Sequence, residues 1–125
     1  MAIRGIGIDV VDSTRIARLL RGSGRFASRW FTPLEIDECE VSRRPALDYA
    51  RRLALKEAAW KALGVLDWSG GVPWRHLQTS RVAGSVRIEL AARLLSPSQA
   101  DRQPVIHTAE ISQGPICVAV VIIED

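Results

Sequence analysis

Two residues in the middle of the chain have types and a spacing that could support chemistry. Glu57 and Lys61 lie four positions apart, and side chains at this spacing meet on the surface of a helix. Alanines are frequent around them, which would let another stretch of backbone approach closely. The carboxylate has two interpretations: an ordinary ion pair at the border of the core, or a ligand of a metal ion. The spacing alone favours the ion pair.

A helix from about Ala46 to Leu63 must position these two side chains. Pro45 suits the first helical turn, where its missing N–H costs nothing, and Gly64 suits a left-handed helix end. Most residues between them are strong helix formers, and the apolar ones fall on one continuous side. The sequence therefore predicts one long central helix with Glu57 and Lys61 at the edge of its apolar side.

A second carboxylate, Asp9, stands inside a β-branched run near the N-terminus. Residues 3–11 have the pattern of a strand, and glycines within a strand, here Gly5 and Gly7, often mark the close approach of another backbone or a ligand. Taken alone, Asp9 is best interpreted as a strand-edge residue or a helix-capping acid.

Together, these two segments resemble the holo-acyl-carrier-protein synthase type of 4′-phosphopantetheinyl transferase. The N-terminal motif is Gly5-Ile6-Gly7-Ile8-Asp9. The helical motif is Arg52-x-x-x-Lys56-Glu57-Ala58-x-x-Lys61-Ala62. The order of the remaining segments also matches, so the resemblance covers the chain from Met1 to Glu124.

The resemblance implies an α+β fold in which a strongly twisted, largely antiparallel sheet wraps on the long central helix. It also implies a single transferase domain over residues 1–125 and a homotrimer with a site at each subunit interface. Elsewhere the pattern predicts a hairpin over 74–80 and 85–90 and a final hairpin over 105–112 and 116–124. The uninterrupted apolar run of the last segment predicts a strand buried on both faces.

The reaction implied is the transfer of 4′-phosphopantetheine from coenzyme A to a serine of an acyl carrier protein, which releases 3′,5′-ADP. Asp9 and Glu57 would hold Mg²⁺, which takes one or two carboxylates together with substrate phosphates. Either Glu57 or a metal-bound water would act as the base. The predicted catalytic residues are Asp9, Glu57 and Lys61, and the predicted contacts to coenzyme A are Arg52, Lys61, His107 and Ser112.

A basic stripe follows the first strand. Arg15, Arg18 and Arg21 recur at intervals of three on a helix that begins near Asp12. Such a stripe is either a solvated face or a docking surface for an acidic helix. The resemblance implies docking of the carrier protein on Arg15 and Arg18.

The chain departs from the family pattern near its C-terminus. The expected motif is His-x-Ser-x-(Ser/Thr)-His, but Ala109 replaces the serine that follows His107 and Ser112 replaces the second histidine. In the helix, Leu53 stands where phenylalanine is usual and Trp60 where a small residue is common. These changes motivate an alternative function, in which the protein binds coenzyme A or a carrier protein without transfer.

Composition limits the remaining classes of function. A chain of 125 residues with 47% hydrophobic residues predicts one globular domain. No apolar run approaches the ~20 residues that span a bilayer, and the two cysteines form no metal or redox motif, so a reduced, cytoplasmic protein is expected. The net charge of +3 suits an acidic partner. Nucleic acid is disfavoured because no aromatic residues alternate with the arginines.

Overall fold

The final hairpin, residues 105–124, returns to pair with the first strand, and both pack on a central helix. The computed structural model describes residues 2–64, 72–91, 94 and 104–124. In chain order the elements are β1 (Ile3–Asp12), α1 (Ser13–Leu20), α2 (Arg25–Trp30), α3 (Pro33–Glu40), α4 (Pro45–Leu63), a 3-10 turn (Trp74–His76), β2 (Leu77–Val82), β3 (Ser85–Leu90), β4 (Val105–Gln113) and β5 (Ile116–Glu124). The predicted α+β class is confirmed.

The ends of the helices follow the signals in the sequence. Pro45 opens α4, and Gly64 closes it in the left-handed conformation with a φ of 62°. Asp12 caps α1 by accepting a hydrogen bond from the Thr14 N–H at 2.8 Å. Within the described ranges, no helix is both long and apolar enough to cross a membrane.

Within the described residues, all strand pairs are antiparallel and fall into two sheets. The larger sheet has the order β1-β5-β4, and β2 pairs with β3 in the smaller one. The strand β1 lies directly against α4 because it carries glycines there. A Cβ atom on Gly5 would lie 1.8 Å from the Ala62 carbonyl oxygen, and one on Gly7 would lie 1.8 Å from that of Ala58. Of the two interpretations of these glycines, the close approach of another backbone is confirmed, and that backbone belongs to α4.

Among the described elements, α4 covers one face of the larger sheet and none covers the other. Along β5, alternate residues are buried against the helix side, namely Cys117, Ala119, Val121 and Ile123. The residues between them are half-buried, so the prediction of a strand buried on both faces was wrong for the single chain. The open face continues onto β1, where Ile6, Ile8 and Val10 are exposed. An apolar run does not reveal whether both of its faces are covered within one chain.

Candidate active site

The strand β1 and the helix α4 bring three of the predicted catalytic residues together. Asp9 alternates onto the same face of β1 as Gly5 and Gly7, and this face meets α4. The Lys61 Nζ donates hydrogen bonds to Asp9 Oδ1 and to the Ile8 carbonyl oxygen, each at 2.9 Å. Glu57 lies one turn before Lys61, within hydrogen-bonding reach of Asp9. The predicted cluster of two carboxylates and one ammonium is therefore present in the geometry.

The electrostatics of Glu57 show that its charge is not fully compensated. Burial raises the pKa of Glu57 to about 8, and the hydrogen bond and negative charge of Asp9 act in the same direction. The positive charges of Lys61 and Arg15 oppose this rise without cancelling it. At neutral pH, the protein without a cation therefore keeps a proton mainly on Glu57. A cation held between the two carboxylates would release that proton.

The donor set fits a hard divalent cation that is shared with a substrate. Among the described residues, no group other than Glu57 is placed to donate to the buried Asp9 Oδ2, so a cation could take the place of the Glu57 proton at this oxygen. Among the described residues, no group of three His, Cys, Asp or Glu side chains could enclose a metal ion. Mg²⁺ commonly accepts such an incomplete protein shell and takes its other oxygens from phosphates and water.

The helices α1 and α2 form a basic surface next to these carboxylates. Arg15 and Arg18 are exposed on α1, and the charge of Arg15 reaches Glu57. A cleft of about 640 Å³ lies between the two helices; its walls include Arg18, Leu19, Arg25, Phe26, Arg29 and Trp30. We call the surface formed by Arg15, Arg18 and these cleft residues the basic patch. The sequence analysis missed Arg25 and Arg29, although their spacing of four on a short helix was a usable signal.

Arg52 requires a correction. Its side chain is 0% exposed, and its guanidinium donates to Glu38 Oε1 at 2.8 Å and to Asp48 Oδ1 at 3.4 Å. Carboxylates from α3 and from one turn earlier on α4 thus compensate the buried charge. Arg52 is not presented to a ligand, contrary to the predicted phosphate contact.

The structure does not bring His107 and Ser112 to the carboxylates within one chain. Both lie on β4, which β5 separates from β1, and two strand spacings amount to about 10 Å. His107 lies on the open face of the sheet, where its Nε2 is 2.8 Å from Glu124 Oε2. Ser112 is on the other face, with its Oγ 3.7 Å from the Cys117 Sγ.

A second polar cleft, which the sequence analysis did not anticipate, lies between α4, the β2–β3 turn and β4. Its volume is about 570 Å³. Two ion pairs line it: Arg51 bonds to Glu110, and the Arg81 Nη2 bonds to Asp48 Oδ2 at 2.9 Å. The partners of each pair are far apart in sequence, which explains why spacing gave no signal.

Comparison with known proteins agrees with this fold. A family model described as the 4′-phosphopantetheinyl transferase superfamily matches residues 5–117. The chain belongs to that superfamily, and the predicted resemblance to its holo-acyl-carrier-protein synthase type is confirmed.

The curated relatives match over nearly the whole chain. The holo-[acyl-carrier-protein] synthase of Azorhizobium caulinodans is 40% identical over 127 residues, covering 97% of this chain and 93% of the relative. That of Hyphomonas neptunium is 41% identical over 128 residues, covering 98% and 93%.

Solved structures agree as well. The holo-[acyl-carrier-protein] synthase of Neisseria meningitidis is 30% identical, with a TM-score of 0.81, covering 99% of this chain and 100% of that chain. The Helicobacter pylori synthase, solved in complex with coenzyme A, is 25% identical with a TM-score of 0.77, covering 95% and 99%.

Proposed function

We propose that this chain transfers 4′-phosphopantetheine from coenzyme A to a serine of an acyl carrier protein and releases 3′,5′-ADP. The observation that carries this proposal is the cluster of Asp9, Glu57 and Lys61, found in a chain about 40% identical to named holo-[acyl-carrier-protein] synthases. The coenzyme A complex of the Helicobacter pylori protein supports the choice of donor.

The reaction is the attack of a serine oxygen on a phosphorus of the pyrophosphate, and such chemistry depends mainly on positioning and charge neutralisation. Asp9 and Glu57 would hold Mg²⁺, which, when bound, neutralises charge on the pyrophosphate. The Lys61 ammonium is half exposed and can turn from Asp9 towards a phosphate oxygen. Glu57 or a water beside it would take the serine proton.

The acceptor would dock on the basic patch. Arg15 and Arg18 supply exposed positive charge, the charge of Arg15 reaches Glu57, and exposed Leu19 adds apolar contact. A partner with an acidic helix complements this surface, since opposite charges speed association and suppress wrong partners.

The working assembly would be a homotrimer built on the open face of the larger sheet. Exposed apolar residues are concentrated there, among them Ile6, Ile8, Val10, Ile111 and Ile116. Contiguous apolar surface of this kind marks protein interfaces. Because His107 and Ser112 are apart from the carboxylates of their own chain, a neighbouring chain would have to supply them for the predicted coenzyme A contacts.

Light scattering tests this assembly. Ile6→Lys places a charge on the open face and should reduce the mass from that of a trimer. Val41→Lys is the matched control, because Val41 is exposed beyond the end of α3 and off this face. A wild-type protein that is monomeric at micromolar concentration would contradict the trimer.

Three further assignments belong to the same proposal: one transferase domain over residues 1–125, a cytoplasmic location, and a role in lipid or polyketide biosynthesis. The free, buried cysteines Cys39 and Cys117 are compatible with a reducing compartment.

Binding without transfer is the competing function, because Ser112 carries no charge and contacts Cys117. Incubation with coenzyme A, Mg²⁺ and candidate apo carrier proteins separates the two. A phosphopantetheine mass shift on the carrier supports the transferase. Binding of coenzyme A with no shift on any carrier would support the competing function.

A further inference from the structure

One buried ammonium joins the elements around the site, although the proposed reaction does not use it. Lys56 has no exposed side-chain surface, and neither has its partner Glu35. Its Nζ donates to Glu35 Oε1 at 2.6 Å, to the Trp30 carbonyl oxygen at 2.8 Å and to the Trp74 carbonyl oxygen at 3.0 Å. An ammonium has three donors, so Lys56 has none left for a phosphate.

Glu35 extends this network to further elements. Its Oε1 also accepts the Thr32 N–H at 2.9 Å in the capping box of α3. Its Oε2 accepts the backbone N–H of Thr79 at 3.1 Å and the hydroxyl of the same residue. One ion pair therefore connects α4 with the end of α2, the start of α3, the 3-10 turn and β2.

The network spans the two functional surfaces. Trp30 ends α2 and lines the basic patch, and its ring stacks on Trp74 with the centroids 4.6 Å apart. On α4, Lys56 is followed directly by Glu57. The ammonium thus anchors the α2 side of the patch to the helical turn that carries a catalytic carboxylate.

We propose that Lys56 is a positioning residue for the transfer reaction: it fixes the separation between the basic patch and the Asp9–Glu57 pair. This inference rests on the proposed function, in which a docked carrier must place its serine at the carboxylates. Two directional hydrogen bonds hold the Trp30 and Trp74 carbonyls at one geometry, and a third fixes the ammonium to Glu35. An apolar side chain would fill the space without orienting the carbonyls.

Lys56→Met tests the proposal in the full-length protein. Steady-state kinetics give KM for the apo carrier protein and kcat, calorimetry gives the Kd for coenzyme A, and thermal unfolding gives Tm. We expect kcat/KM for the carrier to fall about tenfold or more, since misplacement of a docked substrate by ~1 Å can cost up to ~100-fold. The Kd for coenzyme A should stay within about twofold, because Lys56 offers no free donor to a ligand.

Ile123→Ala is the control for stability alone. Ile123 is fully buried on β5, and the network above does not include it. Both variants are assayed at one temperature below their Tm values. There, Ile123→Ala should not change kcat/KM for the carrier relative to the Kd for coenzyme A. If Lys56→Met and Ile123→Ala give the same pattern, or if Lys56→Met weakens coenzyme A instead, the positioning role is refuted.

Two further variants keep the test decisive if Lys56→Met does not fold. Lys56→Met/Glu35→Gln removes both charges together, which is milder than leaving one unpaired. Thr79→Val removes only the hydroxyl bond to Glu35 and should shift kcat/KM for the carrier in the same direction by less. A folded Thr79→Val protein with wild-type kinetics would contradict the proposal. A wild-type protein that modifies no carrier would refute the proposed function itself.

Discussion

The contact between β1 and α4 can be tested with a single methyl group. In Gly7→Ala, the added Cβ would lie 1.8 Å from the Ala58 carbonyl oxygen, 2.8 Å from its carbon and 2.9 Å from the Ala62 nitrogen. Ordinary contact begins near 3.4 Å, so strand and helix must separate by about 3.4 − 1.8 = 1.6 Å. All three atoms are backbone, so no side chain can turn away to absorb the strain.

This separation has a cost in stability and in function. Overpacking a dense interior costs about 1–3 kcal/mol or more, and we expect the upper part of this range because backbone must move. For a chain of this size that corresponds to a Tm lowered by roughly 10 °C. Asp9 moves with the strand, so the 2.9 Å bond from Lys61 would break and the two carboxylates would part. Activity should therefore fall further than stability explains.

Differential scanning calorimetry and the carrier mass-shift assay measure the two effects. Gly22→Ala is the matched control for stability: among the described residues, the same methyl group meets only the Leu19 carbonyl oxygen, at 3.3 Å, and lies outside the strand. We expect Gly22→Ala to keep a Tm close to wild type; because Gly22 lines the cleft of the basic patch, it serves as a control in calorimetry and not in the transfer assay. A Gly7→Ala protein with wild-type Tm and transfer rate would refute the reasoning that the glycine is required for strand–helix contact.

Three further predictions concern the site and the patch. Because the folded pKa of Glu57 is raised from 4.5 to about 8, the cation-free protein binds this proton more tightly than the unfolded chain does. The contribution of the Glu57 proton to the free energy of unfolding is complete below pH 4.5 and is lost as the pH rises towards 8. Unfolding of Glu57→Gln should lack this dependence, and an unchanged pH profile would contradict the assigned pKa. Arg15→Glu should raise KM for the carrier much more than KM for coenzyme A, and added salt should likewise raise KM of the wild-type protein for the carrier. Equal effects of Arg15→Glu on the two KM values would exclude docking by Arg15. Ser112→His should strengthen coenzyme A binding about tenfold in calorimetry, because a charge-assisted hydrogen bond is roughly twice as strong as a neutral one. Ala109→Ser/Ser112→His should strengthen it further. If the double variant folds, binds coenzyme A no better and transfers nothing, the site has been repurposed.

Most of the secondary structure could be predicted because its signals are local. Pro45 and Gly64 mark the ends of α4 within one residue of the structure, and the capping box of Thr32 and Glu35 at the start of α3 is equally local. The pairing of the final hairpin around Gly114 also follows from adjacent residues. Each of these features depends on neighbours a few positions away, which the sequence displays directly.

The roles of charged residues within the helical motif were harder to predict. Arg52, Lys56, Glu57 and Lys61 share one short stretch, yet the first two are buried and the last is half exposed. The partners that decide this, Glu38 for Arg52 and Glu35 for Lys56, come from α3. Sequence spacing does not show which carboxylate of another helix will pair with a given basic side chain. It also does not show whether that pairing leaves the basic side chain free to bind a ligand.

The sequence by itself determined the long helix α4, the final hairpin, the family and the pair of carboxylates proposed for the site, because local conformational preferences and a short motif carry that information. Only the tertiary structure decided how close β1 approaches α4, that Arg52 and Lys56 are enclosed by ion pairs, and that one face of the larger sheet stays open. Those properties depend on which surfaces meet after folding. Burial and the distance between opposite charges control them, and neither follows from the positions of residues in the chain.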